Sequence, residues 1–505
     1  MRALRRVLPL IAMLAALCLV AAACGSTAKK TAVSGDASGD AEPQAAGPDS
    51  ATEGGRAGAE ASADSGAAVG TGAGSTRASA SGAPVSGIDT SRRIKVAPNV
   101  PGVTDKFVYV GAAYTKNQGA GNAAVGAGGL DAGDARQPYN VVIDDINKHG
   151  GLAGRKIKPI YYGYDATSTQ TADEQDEAAC ATWTQDNKVF VIFASGEITD
   201  ECARKQGAME FGSRGLPETY KKYPHRIDIT GLNIIRLSYR PIEGLFKQKY
   251  FEKGAKIGLV TWDTPVYRSA VARGYVPALR SHGLKLGVDT AYIQPPQTLQ
   301  EVGATSASVN SAVLRFKTAN VTHVMILDGQ AGVCGGSCIV LLWMKQSDAQ
   351  RYYPRYGFND TNSAKEAYEL KFFSAEQARR SIYVTSLAVN DSYDEGWKPN
   401  ASRKRCEALM KSKGIDMSDP NAHGAAVNAC ENLWFLQLGV QRLTGALSAD
   451  AFVDTIERLG YSYTSPFAWY NFFSAQRHDG QAGERIMAFM DSCDCFKFVT
   501  KPYKI

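Results

Sequence analysis

Cysteine is the residue type in this 505-residue chain whose placement could do the most chemistry, and there are ten. Cys18 lies in an apolar stretch near the start, and Cys24 follows Ala21, Ala22 and Ala23. The remaining eight are Cys180, Cys202, Cys334, Cys338, Cys406, Cys430, Cys493 and Cys495. An even set in an exported chain favours disulfides. Nearest-neighbour pairing gives Cys180–Cys202, Cys334–Cys338, Cys406–Cys430 and Cys493–Cys495, one of about 105 connectivities open to eight cysteines. The last pair would close a small, strained ring and is the weakest of the four. Cys334 with Cys338, or Cys493 with Cys495, could instead hold a soft metal. Zinc sites recruit histidine beside such pairs, and none of His149, His225, His282, His323, His423 and His478 is near in sequence, so no metal is expected.

Other reactive patterns are thin. Gly119-Ala120-Gly121-Asn122-Ala123-Ala124 imitates a dinucleotide fingerprint, but it starts too far from the preceding apolar run for the tight turn that chemistry needs. It reads as a loose glycine-rich loop, with Tyr114, Thr115 and Asn117 beside it. No G-x-S-x-G and no H-E-x-x-H occurs, and His478-Asp479 is too common a pairing to count. No catalytic residue and no cofactor are expected, and the chain reads as a non-enzyme. Trp434 and Phe435 share helical spacing with Leu438 and read as core.

The elements that would position these residues begin late. All 23 Tyr, 18 Phe and 6 Trp lie at or after Phe107, and Gly25 to Lys106 has neither an aromatic residue nor a leucine. A segment so composed builds no core. Before it, Arg2, Arg5 and Arg6 precede an apolar run from Val7 to Val20 and then Ala21-Ala22-Ala23-Cys24, the order of a signal peptide. The cysteine at that place resembles the lipobox of bacterial lipoproteins, with Ala21 where leucine is usual. The resemblance implies lipidation of Cys24, a signal peptide over residues 1–23 and a mature chain held at the outer face of the cell membrane. Residues 24–104, rich in Ala, Gly and Ser, then read as a disordered tether. Removing the three leader arginines lowers the formal charge from +6 to +3, too little and too dispersed for a nucleic-acid partner. The apolar run Cys338 to Met344 is too short to cross a bilayer and reads as a buried segment.

From Phe107 onward, strand-like and helix-like stretches alternate. Strands are expected at 107–113, 157–162, 189–194, 256–262, 323–327 and 382–387. Helices are expected at 137–149, 177–186, 266–282, 308–318 and 425–444. Such alternation implies an α/β fold with parallel sheets and helices on both faces, and the length suits two of them. Ligands of open parallel sheets bind beyond the carboxyl ends of the strands. That directs attention to the loops 114–122, 195–199, 212–216, 262–267, 328–332 and 358–362.

The stretch Tyr139-Asn140-Val141-Val142-Ile143-Asp144-Asp145-Ile146-Asn147-Lys148-His149-Gly150-Gly151-Leu152-Ala153-Gly154-Arg155-Lys156-Ile157, followed by Tyr164-Asp165-Ala166-Thr167, resembles the first helix–strand unit of the leucine/isoleucine/valine-binding protein family. Weaker likeness runs over 105–505, at Tyr223 to Ile227, at Lys256 to Val260 and in the helix after His423. These are type I periplasmic solute-binding proteins of ABC importers. The resemblance implies two Rossmann-like lobes joined by crossover strands. The implied division is N-lobe 105–235, C-lobe 236–383, N-lobe again 384–465, and C-lobe with hinge 466–505. It also implies a ligand site made by Tyr114, Thr115, Ser195, Gly196, Gly212, Ser213 and Arg214 on one lobe. Trp262, Asp263, Tyr267, Asp328 and Asp360, beside Asn359, face them from the other. Arg214 stands where the family usually continues a run of small residues, and a cleft arginine favours an acidic solute or one with an extra carboxylate.

The expected function is therefore a lipid-anchored, monomeric receptor. It would capture a small polar solute, an amino acid or a related compound, and pass it to an ABC permease. A sensor with the same fold, signalling to a membrane receptor partner, is the alternative. The stretch from Gly335 to Asn359, with its run Tyr352-Tyr353-Pro354-Arg355-Tyr356, is expected to be an insertion that reshapes the pocket.

Overall fold

The computed structural model describes residues 92–505 apart from 125, 129, 130, 195, 213, 335, 361–363, 388–398 and 419. The expected leader, the expected lipidation site Cys24, most of the expected tether, and the expected site residues Ser195 and Ser213 lie outside the described residues.

Five parallel strands form the first sheet: β1 (Phe107–Lys116), β2 (Lys156–Asp165), β3 (Val191–Phe193), β4 (Met209–Phe211) and β5 (Arg226–Ile227), in the order β2-β1-β3-β4-β5. The second sheet is built from β6 (Ile257–Trp262), β7 (Ala291–Ile293), β8 (His323–Leu327), β9 (Arg355–Phe358), β10 (Ser381–Thr385), β11 (Gly483–Met490), β12 (Cys495–Phe498) and β13 (Tyr503–Lys504). Its order is β12-β11-β10-β9-β8-β6-β7, with β13 pairing to β11. β6 to β10 are parallel; the three C-terminal strands join antiparallel. Parallel strands need crossover connections, and helices supply them on the sheet faces.

Each sheet has its own core. The first gathers Val108, Val110, Val142, Ile146 and Phe193 with Leu433, Phe435 and Phe452 from the helices Pro420–Gln441 and Ala449–Glu457. The second gathers Leu259, Val260, Phe316, Ile326, Trp343 and Tyr356. Ile229 belongs to the first core, and Leu232 and Ile234 to the second. Val384 belongs to the second, Phe473 to the first and Ile486 to the second. The chain therefore passes between lobes three times. One buried carboxylate ties two of the crossings together. Asp479 accepts the backbone N–H and the side-chain amide of Asn233 at 3.0 Å each, and pairs with Arg236 at 2.6 Å. Beside it, Asp228 N–H donates to His478 O, and Gly480 N–H donates to Asp228 O.

The motif that carried the family likeness turns out to be a folding device. Helix Arg136–Lys148 buries Tyr139, Val142, Ile143 and Ile146 on one face. Gly150 (φ +101°) and Gly151 (φ +75°) then end it in the left-handed region that glycine tolerates. The Asn147 amide exchanges two hydrogen bonds with the Ile157 backbone, fixing the start of β2 beside the helix end. The Arg155 guanidinium, buried, donates to the carbonyls of Thr104, Ile94 and Ala153. That grip, with the pairing of Ala97 N–H to Leu447 O and of Leu447 N–H to Lys95 O, packs residues 92–104 against the lobe. The end of the expected tether is thus part of the folded body, because Ile94 gives it an apolar anchor. A Cβ at Gly151 would collide with the Arg155 carbonyl oxygen. Gly151→Ala is expected to cost about 3 kcal/mol, read as a lower urea midpoint, whereas an unchanged midpoint would mean that the turn can relax.

Two sequence expectations fail here. Gly335 to Asn359 is no insertion: it supplies helix Cys338–Ala349 and strand β9, and Tyr352 and Tyr356 are core. Gly119 to Ala124 is no loose loop but part of helix Gln118–Ala124. Asn117, in a left-handed conformation (φ +56°), turns the chain out of β1, and Gly121 lets that helix lie against Ala166. Disulfides join Cys180–Cys202, Cys334–Cys338, Cys406–Cys430 and Cys493–Cys495. Among the described residues no cluster of His, Cys, Asp and Glu could hold a metal ion, and no helix is long and apolar enough to cross a membrane.

Candidate ligand-binding cleft

The carboxyl ends of strands from both sheets converge on one cleft. It has two chambers of about 400 and 440 Å³, which share Ala172, Asp176, Gln330 and Gly332 in their walls. From the first sheet come the ends of β1 and β2, the start of helix Glu197–Gln206 after β3, and residues 214–216 after β4. From the second come Thr264 to Tyr267 after β6, Pro295 and Gln297 after β7, and Gln330 to Cys334 after β8. The lobes already touch across it: Ala172 N–H donates to Gln297 O at 3.1 Å, and Arg273 pairs with Glu218 at 2.5 Å.

The first chamber carries the charges. Arg214 lines it, half-buried, on a backbone in the left-handed region (φ +61°). It has no ion-pair partner within reach among the described residues, although it lies near enough to Tyr267, Asp328 and Asp360 to act on them electrostatically. A Cβ on Gly329 would come within 3.0 Å of its Nη1, so glycine at that place leaves the guanidinium room. Asp176 stands where the two chambers meet. Burial pushes its carboxyl up to about 6, against a hydrogen bond with Tyr164 that pulls the other way.

Part of the first chamber's wall belongs to a buried ionic cluster. Arg226, 3% exposed, pairs with Asp200 and, at 3.1 Å, with Asp228. Burial opposes its charge, but Asp228, Glu210 and Asp200 together outweigh that and raise its pKa. Glu210, its cross-strand partner in the β4–β5 pair, is pushed far up by burial and by the Asp200 charge. Tyr220 donates to Asp228 at 2.6 Å.

The structure separates the expected site residues into two groups. Tyr114 and Thr115 line the second chamber; Gly196, Arg214 and Tyr267 line the first. Gly212, Trp262, Asp263 and Asp328 do not line either. Gly212 is the space Arg226 occupies, since a Cβ there would come 2.8 Å from its Nη2. Trp262 is fully buried and donates to Gly329 O at 3.0 Å, fixing the 328–332 loop from beneath. Asp263 is committed to Arg268 at 2.6 Å and Gln294 at 2.8 Å. Asp328 accepts the N–H groups of Gly329 and Val340, anchoring the first turn of helix Cys338–Ala349, and burial pushes it up to about 7. Asp360 binds Ser386 through its backbone N–H at 2.6 Å and through its hydroxyl, in a small cavity beside the crossings. Asp176, Tyr164 and Gln297 are wall residues that the sequence does not single out, whereas Gln330 falls within the expected loop 328–332. The expected loops omitted the segments after β2 and β7, and β7 is only three residues long.

No protein-family model matches the chain, and no curated protein matches it in sequence. Solved structures do. A fatty acid ABC transporter substrate-binding protein from Thermomonospora curvata superposes with a TM-score of 0.56 at 14% identity, covering 82% of this chain and 95% of that one. A branched chain amino acid ABC transporter protein from Thermus thermophilus with bound valine gives 0.56 at 16%, covering 80% and 97%. A solute binding protein of an ABC transporter from Rhodopseudomonas palustris HaA2, in complex with p-hydroxybenzoic acid, gives 0.56 at 12%, covering 79% and 97%. The fold is that of the type I periplasmic binding proteins, and these structural neighbours are solute-binding proteins rather than enzymes.

Proposed function

We propose that the chain is a solute receptor of an ABC importer, held outside the membrane by a lipid on Cys24. In this reading it closes its two lobes on a small amino-acid-like solute. The observation that carries the reading is Arg214, a half-buried guanidinium in the cleft with no protein ion-pair partner among the described residues. A guanidinium so placed matches a solute carboxylate with two parallel hydrogen bonds. Asp176 supplies the opposite charge for an ammonium group. Closure around them excludes water and so strengthens both contacts. The neighbours that bind valine and p-hydroxybenzoic acid both take a carboxylate-bearing solute, which agrees with this choice.

The test is a thermal-shift screen of the purified protein, stripped of bound ligand, against amino acids, monocarboxylates, amines and neutral amides. A carboxylate-bearing amino acid at 100 times its dissociation constant should add about 2.7 kcal/mol of stability. A response confined to amines or neutral amides would overturn the reading.

A pH dependence follows from Asp176. A raised acid favours the folded state while protonated, so its stabilising contribution is complete below pH 3.8 and lost as the pH rises through about 6. Holding an ammonium group requires the opposite state, the carboxylate. Affinity for the amino acid is therefore expected to fall, by up to about tenfold per pH unit below 6. Titration calorimetry from pH 8 to 4.5 should show the fall in the natural protein and a flat profile in Asp176→Asn. The same slope in both would assign the effect elsewhere.

A further inference from the structure

We infer that the solute is a two-part molecule: a charged amino-acid head in the first chamber and a bulky apolar or aromatic extension in the second, together about the size of a dipeptide. The inference rests on the receptor reading above and names the class of solute that the cleft takes. Three observations carry it.

The first is volume. A cavity of about 150 Å³ already holds benzene, yet the chambers measure about 400 and 440 Å³. That space is present with the lobes in contact through Ala172 and Gln297. A free amino acid would leave most of it to water.

The second is the division of chemistry. The ionic groups Asp173, Glu197, Asp200, Arg214 and Arg226 line only the first chamber. The second has no cation in its wall: beside Tyr114, Tyr164, Leu299, Val302, Val333 and the Cys334–Cys338 disulfide it presents the uncharged polar groups of Thr115, Gln118, Asn122 and Gln175. Its acids are Asp165, held by Asn117 and Thr167, and Asp176, which it shares with the first. Arginine sits over the Tyr114 ring from outside, Arg136 at 4.2 Å, and is paired to Asp134, so it adds no free charge to the wall. An apolar or aromatic group gains from burial on such a surface, at about 25 cal/mol per Å².

The third is the junction. Asp176 and Gln330 stand in both walls, and Gln297 stands beside them with a buried Oε1 that lacks a hydrogen-bond partner among the described residues. Acceptors gathered at the neck suit an ammonium or amide N–H at the point where a head joins its extension.

The experiment compares valine and leucine with leucyl-phenylalanine and phenylalanyl-phenylalanine by titration calorimetry, on the natural protein and on Ala132→Trp. Ala132 is partly exposed in the wall of the second chamber, so an indole there fills space with little effect on folding, which a thermal melt verifies. The dipeptides are expected to bind at least tenfold tighter than the free amino acids, and Ala132→Trp to erase that advantage while leaving valine and leucine unchanged. If the free amino acids bind as tightly as the dipeptides, and Ala132→Trp alters neither, the two-part solute is wrong and the receptor reading stands. If no probe binds the natural protein, both are overturned.

Discussion

Arg214→Gly is expected to lower the affinity for the carboxylate-bearing solute about a hundredfold and to leave the empty protein as stable as before, or slightly more so. The two effects have separate causes. A charge-assisted hydrogen bond contributes about 1.5–3 kcal/mol, and the guanidinium fork offers two to one carboxylate. Two such bonds are worth about 3–6 kcal/mol, so their loss costs at least about two powers of ten in affinity. The backbone counts the other way. At φ +61° an L-residue is strained by about 1–2 kcal/mol, which glycine does not feel. Glycine gives back up to about 1 kcal/mol through the greater freedom of the unfolded chain. The balance lies near zero or on the stabilising side. Arg214→Lys should fall between, keeping the charge without the fork. Calorimetry and urea unfolding on the same samples separate the outcomes. Undiminished affinity in Arg214→Gly removes the arginine from the site, and a loss of more than about 2 kcal/mol in the empty protein makes it a structural residue instead.

That the strained position is occupied by arginine is itself informative. Strain at a residue that no core contact requires is commonly kept for function. Arg214 could be singled out from the sequence because it interrupts the small residues after β4. Its left-handed backbone could not, because the loop is held by Gly215 N–H reaching the Asp228 carboxylate at 3.3 Å, thirteen residues further along the chain and across the β4–β5 pairing.

The same contrast holds more widely. Apolar runs gave β1, β2, β6 and β8 within a few residues, because each carries its signal in its own sequence; β6 and β8 are buried along their whole length. The short strands β4, β5 and β7 left no such trace: two or three residues carry no period, and only pairing with a neighbour makes them strands. The loop after β7 was correspondingly missed, whereas 212–216 after β4 was expected and does line the cleft. Asp176 escaped notice because it follows β2 by a turn of helix Ala172–Cys180, where an acid near a helix start reads as ordinary capping. Asp328 was chosen for the opposite reason. An Asp at the end of a buried strand has the address of a ligand residue, and only the structure reveals that the N–H groups of Gly329 and Val340 already occupy its oxygens.

Arg226→Met is expected to have the largest effect on stability, about 3–5 kcal/mol at pH 8, because it leaves Asp200 and Asp228 buried without their cation. A methionine fills much of the vacated volume, so the loss measures charge rather than a cavity. Its pH dependence identifies the cause. Burial already raises Asp200 and Glu210 above their ordinary values in the presence of the arginine. Removing the arginine raises them further. Groups raised in this way give stability that is fully present below the unfolded carboxyl range and is lost as the pH climbs through their folded values. The penalty of Arg226→Met should therefore shrink as the pH falls from 8 towards 4.5, when the raised Asp200 takes up a proton. Urea unfolding at both ends of that range reads this directly, and an equal loss at both would show that packing, not charge, is what Arg226 provides. Asp200→Asn added to Arg226→Met should recover part of the loss at pH 8, since one of the two stranded charges is then gone. The cluster also bears on the cleft. Gly212 and Gly215 lie against the Arg226 guanidinium, and the loop they bound carries Arg214. In Arg226→Met that loop loses its floor, so solute affinity should drop even though the cation proposed to meet the solute is still present.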